Sequence, residues 1–186
     1  QCLTFDTNGR LATKDVRLTL IPYYAWCHRG SGDMKVWLPQ DMKATTPALP
    51  ATLASTSKIE TSSKMPAIES INDRLVPMNA DDRSVPYTHW WPKKGSTEWI
   101  SYTFNEAAEV KSCTTYWFDD QPWGGCSLPK SWKVYYKTAD GSWAPVDADN
   151  YPTEKGSACT VNFKPVKTTA LKLEVEMPAD KSAGIF

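Results

Sequence analysis

Near its end the chain reads "ALKLEVEM", Ala170 to Met177, with Leu171, Leu173, Val175 and Met177 on one side of an extended backbone and Lys172, Glu174 and Glu176 on the other. Such a segment needs a sheet with one buried face and one wet face. The same period of two recurs in "EWISYTF", Glu98 to Phe104, and in "SWKVYYK", Ser131 to Lys137, where Trp132, Val134 and Tyr136 oppose Lys133, Tyr135 and Lys137. "TADGSW", Thr138 to Trp143, follows directly, and Asp-Gly flanked by β-type sequence is a strong hairpin signal. Only "PAIESINDRL", Pro66 to Leu75, offers a short helix. Short strands separated by turn signals, with almost no helix, predict an all-β unit of the sandwich or closely related barrel type.

The front of the chain has a different organisation. "VRLTLIPYYAWCHRGSGDMKVWLP", Val16 to Pro39, reads as two extended pieces around the turn Arg29 to Asp33. An isolated strand pair is marginal in water, so this one requires a sheet to join. From Gln40 to Pro50 the apolar pattern lapses and two Pro enter, as in a connector between folded units. The expected division is therefore 1–39, a linker over 40–50, and a second unit over 51–186.

Composition removes several function classes. Lys plus Arg and Asp plus Glu both number 21, the formal net charge is zero, and no run of like charge is present to follow a phosphate backbone, so nucleic acid is not an expected partner. No apolar stretch reaches the roughly 18 residues of a membrane span, so no membrane insertion is expected. The chain opens on Gln1, which reads as a processed or excised piece. Cys2, Cys27, Cys113, Cys126 and Cys159 form an odd set without C-x-x-C spacing, and buried free thiols are the expectation. With only two histidines, His28 and His89, metal and acid-base chemistry have few groups to draw on.

The chemistry-bearing stretch is "YWFDDQPWGGC", Tyr116 to Cys126. Neighbouring side chains on extended backbone point to opposite faces, so Asp119 and Asp120 are poorly placed as the pair of carboxylates that must flank a glycosidic bond. Capping the turn, or holding Arg, Lys or backbone donors, suits them better. A sugar ring offers a C–H face to an aromatic plane and hydroxyls to fixed polar groups. Trp90, Trp91, Trp117, Phe118 and Trp123 are the aromatic candidates for that task, and His89, Asp119 and Asp120 the polar ones. Trp99, Trp132 and Trp143, on strands or at a hairpin foot, read as core or sheet packing. Adjacent Trp90 and Trp91 cannot both face inward on extended backbone. Trp123, beside Pro122 and the Gly124-Gly125 pair, reads as the best exposed platform. A Trp-rich face could equally dock against another domain; a cleft with one Trp and convergent polar groups would favour sugar, and a broad flat apolar patch docking.

Ala54-Ser55, "AIESINDR", "EWISYTF", "LPKSWKVYYKTADGSW" and "LKLEV", in that order, resemble the galactose-binding-like, or discoidin-like, jelly-roll β-sandwich carried by many extracellular glycosidases as a carbohydrate-binding module. "IPYYAWCHRGSGDMKVWLP" followed by "THWWP", "YWFDD", "GGC" and "PKSWKVYYK" is similar to the C-terminal end of the beta-L-arabinofuranosidase family of glycoside hydrolases, family 127-like, over about Leu18 to Phe186. In that family an upstream α-helical toroid holds the catalytic carboxylate and a zinc-bound cysteine nucleophile, and a β-sandwich follows. The resemblance implies that 1–39 are the last strands of that sandwich, that 51–186 are an appended module, and that Cys27 is not the nucleophile. It further implies a non-catalytic accessory module of a periplasmic or extracellular enzyme acting on plant-type glycans, with carbohydrate and the parent's catalytic domain as partners, or else a structural module that stabilises the parent. No cofactor is implied beyond a structural calcium, which relatives of this fold hold in the loop matching Glu69 to Arg74; Asn72 and Asp73 are the matching hard-oxygen residues, with turn capping as their other use. Related modules continue past the closing "AGIF" with an acidic residue and a final strand.

Overall fold

The structure, a computed structural model, describes residues 50–186, within the second of two units into which the chain divides, Leu49–Phe186. The strand pair expected over Val16–Pro39, the first 49 residues with the boundary placed among them, Cys2, Cys27 and His28 lie outside the described residues.

Eight strands follow in order: β1 (Lys58–Thr61), β2 (Thr88–His89), β3 (Thr97–Phe118), β4 (Cys126–Ser127), β5 (Ser131–Lys137), β6 (Trp143–Pro145), β7 (Ala158–Glu176) and β8 (Ser182–Ile185). They hydrogen-bond in the order β2-β8-β3-β7-β5-β6, with β1 beside β3 and β4 beside β8. Every pairing is antiparallel except β4 with β8.

Two long strands make a folded-over sheet out of this list. β3 and β7 pair from Thr97↔Glu176 to Tyr116↔Ala158, but the register slips between Thr103 and Ala108 and again between Val110 and Ser112. Such irregularities bend a strand and let it pass from one layer to another. The early half of β3 lies beside β1, and its last residues, Trp117 and Phe118, lie beside β8. Ile100, Leu173 and Val134 from one end join Val110, Val161 and Ile185 from the other in a single apolar core.

The period-two reading holds for the apolar positions, although Ser101 on the opposite face is buried as well and Tyr135 and Tyr136 are both half-buried. Leu171, Leu173, Val175 and Met177 are buried, as are Trp132 and Val134, while Lys133 is exposed. The expected hairpin joins β5 to β6: Gly141 takes the left-handed φ of 86° that its turn requires, Thr138 N–H donates to the Ser142 carbonyl at 2.9 Å, and Asp140 Oδ1 accepts from Ser142 N–H at 3.1 Å. The short helix expected over Pro66–Leu75 contracts to a 3-10 turn, Ile68–Asn72, between the left-handed residues Ala67 and Arg74. The closing "AGIF" lies largely in β8, whose four residues are all buried; without a wet face, that strand has no alternation for the sequence to display. Among the described residues no helix is long and apolar enough to cross a membrane.

Candidate functional site

At one end of the folded sheet the segment leading into β2 meets the loop Asp119–Gly125. "YTHWW" runs extended, so Thr88 and Trp90 point into the core, 0% and 2% exposed, while Tyr87, His89 and Trp91 emerge on the other side. Those last three line a cleft of about 180 Å³ together with Phe118, Asp120, Gly125 and Cys126. Its aromatic flank is built in depth. Tyr87 stacks on Phe118 at 3.8 Å between ring centroids, Phe186 meets Phe118 edge-on at 5.6 Å, and the Arg83 guanidinium sits over both the Tyr87 and Phe118 rings.

The Gly pair is explained by what lies against it. A β-carbon on Gly124 would come within 1.8 Å of an Asp120 carboxylate oxygen, and one on Gly125 within 2.5 Å of the Trp91 ring. Glycine at both places lets the loop close tightly around Asp120 and lets Trp91 lie on the loop backbone. Asp120 anchors that loop: its Oδ1 accepts from Cys126 N–H at 2.9 Å, its carbonyl accepts from the N–H groups of Trp123 and Gly124, and its Oδ2 faces Arg83 Nη2 at 3.5 Å. Gln121 closes the loop further, its amide donating to the Gly124 and Cys126 carbonyls.

Asp119 turns the other way. Buried at 6% exposure, its Oδ1 accepts from Gln121 N–H at 2.9 Å and pairs with Lys155 at 2.8 Å. The two carboxylates are thus committed to separate partners, in the turn-capping and cation-holding roles that suit Asp there. Burial, reinforced by Asp120 and Asp119, pushes the Cys126 thiol up to about 12, so it stays protonated and is no nucleophile. Cys113, Cys126 and Cys159 all carry free thiols. Burial also pushes His89 down, against the pull of Asp120, and leaves a neutral imidazole in the cleft wall whose Nδ1 is buried without a hydrogen-bond partner.

The aromatic candidates divide sharply. Trp91, 47% exposed, lines the cleft from the segment after β2, and Trp123, 91% exposed, lies in the Asp119–Gly125 loop and outside the cleft. Trp90 and Trp117 are core residues instead of binding residues: Trp90 has the inward parity of β2, and Trp117, 1% exposed, meets Trp132 edge-on at 5.5 Å. Of the tryptophans expected to pack, Trp132 is in the core, whereas Trp99 and Trp143 pack on the outer face of the sheet. Arg83 and Tyr87 were not among the sequence candidates. For Tyr87 a signal exists, since Tyr87, His89 and Trp91 are spaced by two; Arg83 reaches the site only through folding.

Asn72 and Asp73 sit at the end of the 3-10 turn. The Asn72 side-chain amide donates to the Ala54 carbonyl at 3.3 Å, Asp73 Oδ1 accepts from Leu75 N–H at 2.7 Å, and Asp73 Oδ2 is buried without a partner. Calcium takes about six to eight oxygens. Among the described residues no three His, Cys, Asp or Glu side chains gather at one point, so Asp73 Oδ2 is the one buried bare carboxylate oxygen this turn offers, and backbone or amide carbonyls would have to complete a calcium shell there.

The described residues have the galactose-binding-like jelly-roll β-sandwich fold seen in carbohydrate-binding modules of glycoside hydrolases. A chain of the Streptococcus pneumoniae beta-galactosidase BgaA superposes with a TM-score of 0.54 at 17% identity, covering 70% of this chain and 93% of that one. The family 32 module of Clostridium perfringens NanJ, solved in complex with galactose, gives 0.52 at 15% identity over 72% and 91%. The module CpGH89CBM32-5 from Clostridium perfringens, in complex with GalNAc-beta-1,3-galactose, gives 0.51 at 16% identity over 72% and 94%. At these identities the likeness is one of fold. Residues 4–39, ahead of the described part, match the family described as Glycoside hydrolase family 127 C-terminal domain. That match and the galactose-binding-like fold fall on different parts of the chain.

Proposed function

We propose that this is a non-catalytic carbohydrate-binding accessory module of a glycoside hydrolase acting on plant-type glycans in the periplasm or outside the cell. The observation that carries the reading is the cleft itself, in which one exposed indole, Trp91, faces polar groups from His89 and Asp120. A sugar would lay its C–H face on Trp91 and direct hydroxyls at the Asp120 carboxylate, whose Oδ2 is held by Arg83 only at the long distance of 3.5 Å. Neutral His89, with Nδ1 buried, has only Nε2 to offer a sugar hydroxyl. Trp123, exposed in the adjoining loop, would extend the contact to a neighbouring residue of a chain. Weak binding of this kind serves an attached catalytic domain by raising its effective concentration at the substrate.

Titration calorimetry with an arabinose-rich oligosaccharide panel, with galactose and xylan as controls, tests the reading. Saturable heat with at least one member, abolished by Trp91→Ala at unchanged melting temperature, is the expected result. A second reading, a docking module that stabilises the parent enzyme, is favoured by one observation: Leu75, Val76 and Met78 are 44%, 63% and 78% exposed within four residues. No heat across the panel, with a lower melting temperature of the parent enzyme when the module is removed, would favour docking.

A further inference from the structure

The outer face of the sheet carries a second groove, of about 350 Å³, away from the loop cleft. Its floor is polar, formed by Ser101 and Thr103 of β3, and its flanks are Trp99 of β3 and Trp143 of β6. Sheet geometry makes this face continuous. Glu60, Ser101, Lys172 and Tyr135 lie in one cross-strand row over β1, β3, β7 and β5, and Lys137 is the register partner of Trp143.

A wet sheet face needs no indoles for folding, since the core on the other side is filled by Ile100, Tyr102, Val134, Leu173 and Val175. Trp143 nonetheless sits on a three-residue edge strand at 36% exposure, with Lys172 Nζ 5.2 Å from its ring centroid. The charges around it are unevenly committed. Lys58 pairs with Glu60 at 2.9 Å and Lys172 with Glu174 at 2.7 Å, while among the described residues Lys137 forms no ion pair and feels the Glu60 carboxylate only at longer range. An aromatic flank, hydroxyl groups on the floor, and an ammonium outside any ion pair at the register position of the indole match a sugar ring bearing a carboxylate, provided that carboxylate lies on the Lys137 side and away from Glu60.

We propose that this outer face is a second glycan-binding surface, taking a uronate-containing chain whose ring lies on Trp143 and whose carboxylate meets Lys137. It goes beyond the loop cleft and is independent of it. A chain engaging both would be held bivalently, with the gain set by the span between the sites.

The test is calorimetric titration of the 186-residue chain with an oligogalacturonide, run beside the neutral panel. Saturable binding is expected, with Trp143→Ala and Lys137→Gln each weakening it on the order of tenfold while Trp91→Ala leaves it unchanged. No saturable binding of the oligogalacturonide overturns the proposal. So does loss on Trp91→Ala with Trp143→Ala unaffected, and so does sensitivity to Lys137→Gln alone, which would indicate attraction without a ring contact. Because the neutral sugars report on the loop cleft and the oligogalacturonide on the sheet face, failure of one reading is distinguishable from failure of the other. Melting curves of each variant guard against loss of fold.

Discussion

The Trp91 indole rests on the backbone of Gly125, so closely that a β-carbon there would stand 2.5 Å from ring atom Cζ3. The contact joins the two segments that form the cleft, one leading from β2 and the other from the end of β3. Gly125→Ala is therefore expected to expel the ring from its seat without demanding an unusual backbone conformation. Near-UV circular dichroism should change, and affinity for the panel sugar should fall on the order of tenfold, the scale of one lost aromatic contact. An unaltered affinity would show that Trp91 does not need this seat to bind.

Trp123 and Trp132 give opposite expectations from the same residue type. Trp123 is 91% exposed, so Trp123→Ala should leave the melting temperature where it is and reduce binding only of ligands long enough to reach the loop tip. Trp132 is 2% exposed and donates its Nε1–H to the Pro152 carbonyl at 2.8 Å. Its truncation should cost about 3–5 kcal/mol, measured by urea unfolding. A large loss of stability on removing Trp123 would contradict its placement in solvent.

Glu98 fastens the loop that follows Trp91. Burial pushes its carboxyl up, but hydrogen bonds from the hydroxyls of Ser62, Ser63 and Ser96 and the charge of Lys93 together hold it below the ordinary glutamate range. A depressed folded-state value means that the stabilisation is complete above the unfolded value of about 4.3 and is lost as pH falls through the folded one. Glu98→Gln should destabilise at neutral pH by roughly 1–3 kcal/mol and flatten that acid limb. Parallel acid-unfolding curves for the two proteins would refute the assignment.

Asp73 behaves in the opposite sense. Burial raises its carboxyl, so its ionised form burdens the native state increasingly as pH rises from the unfolded value through the folded one, and the burden is complete at neutral pH. Asp73→Asn keeps an oxygen for the Leu75 N–H and should hold or raise the melting temperature at pH 7. Chelator should leave the melting curve of the native chain unmoved. A drop with chelator, restored by calcium, would show a cation at Asp73 Oδ2 that backbone oxygens complete.

The sequence by itself determined the half-buried strands. The end of β7, Leu171 to Met177, and the start of β5 alternate, and alternation survives there because each has one dry and one wet face; the Asp140-Gly141 turn was equally legible because its chemistry is local. It also determined that one of Trp90 and Trp91 must face outward. Tertiary structure decided which one, through the parity of β2, and it buried Trp117, which resembled a binding residue only because it adjoins the loop motif. Arg83 backs the cleft wall by pairing with Asp120, 37 residues away, and no local pattern encodes that distance. β8 was hidden because a fully buried strand shows no alternation. The outer-face groove was hidden as well: Trp99, Lys137 and Trp143 come from three strands, and only the register of the sheet sets them side by side.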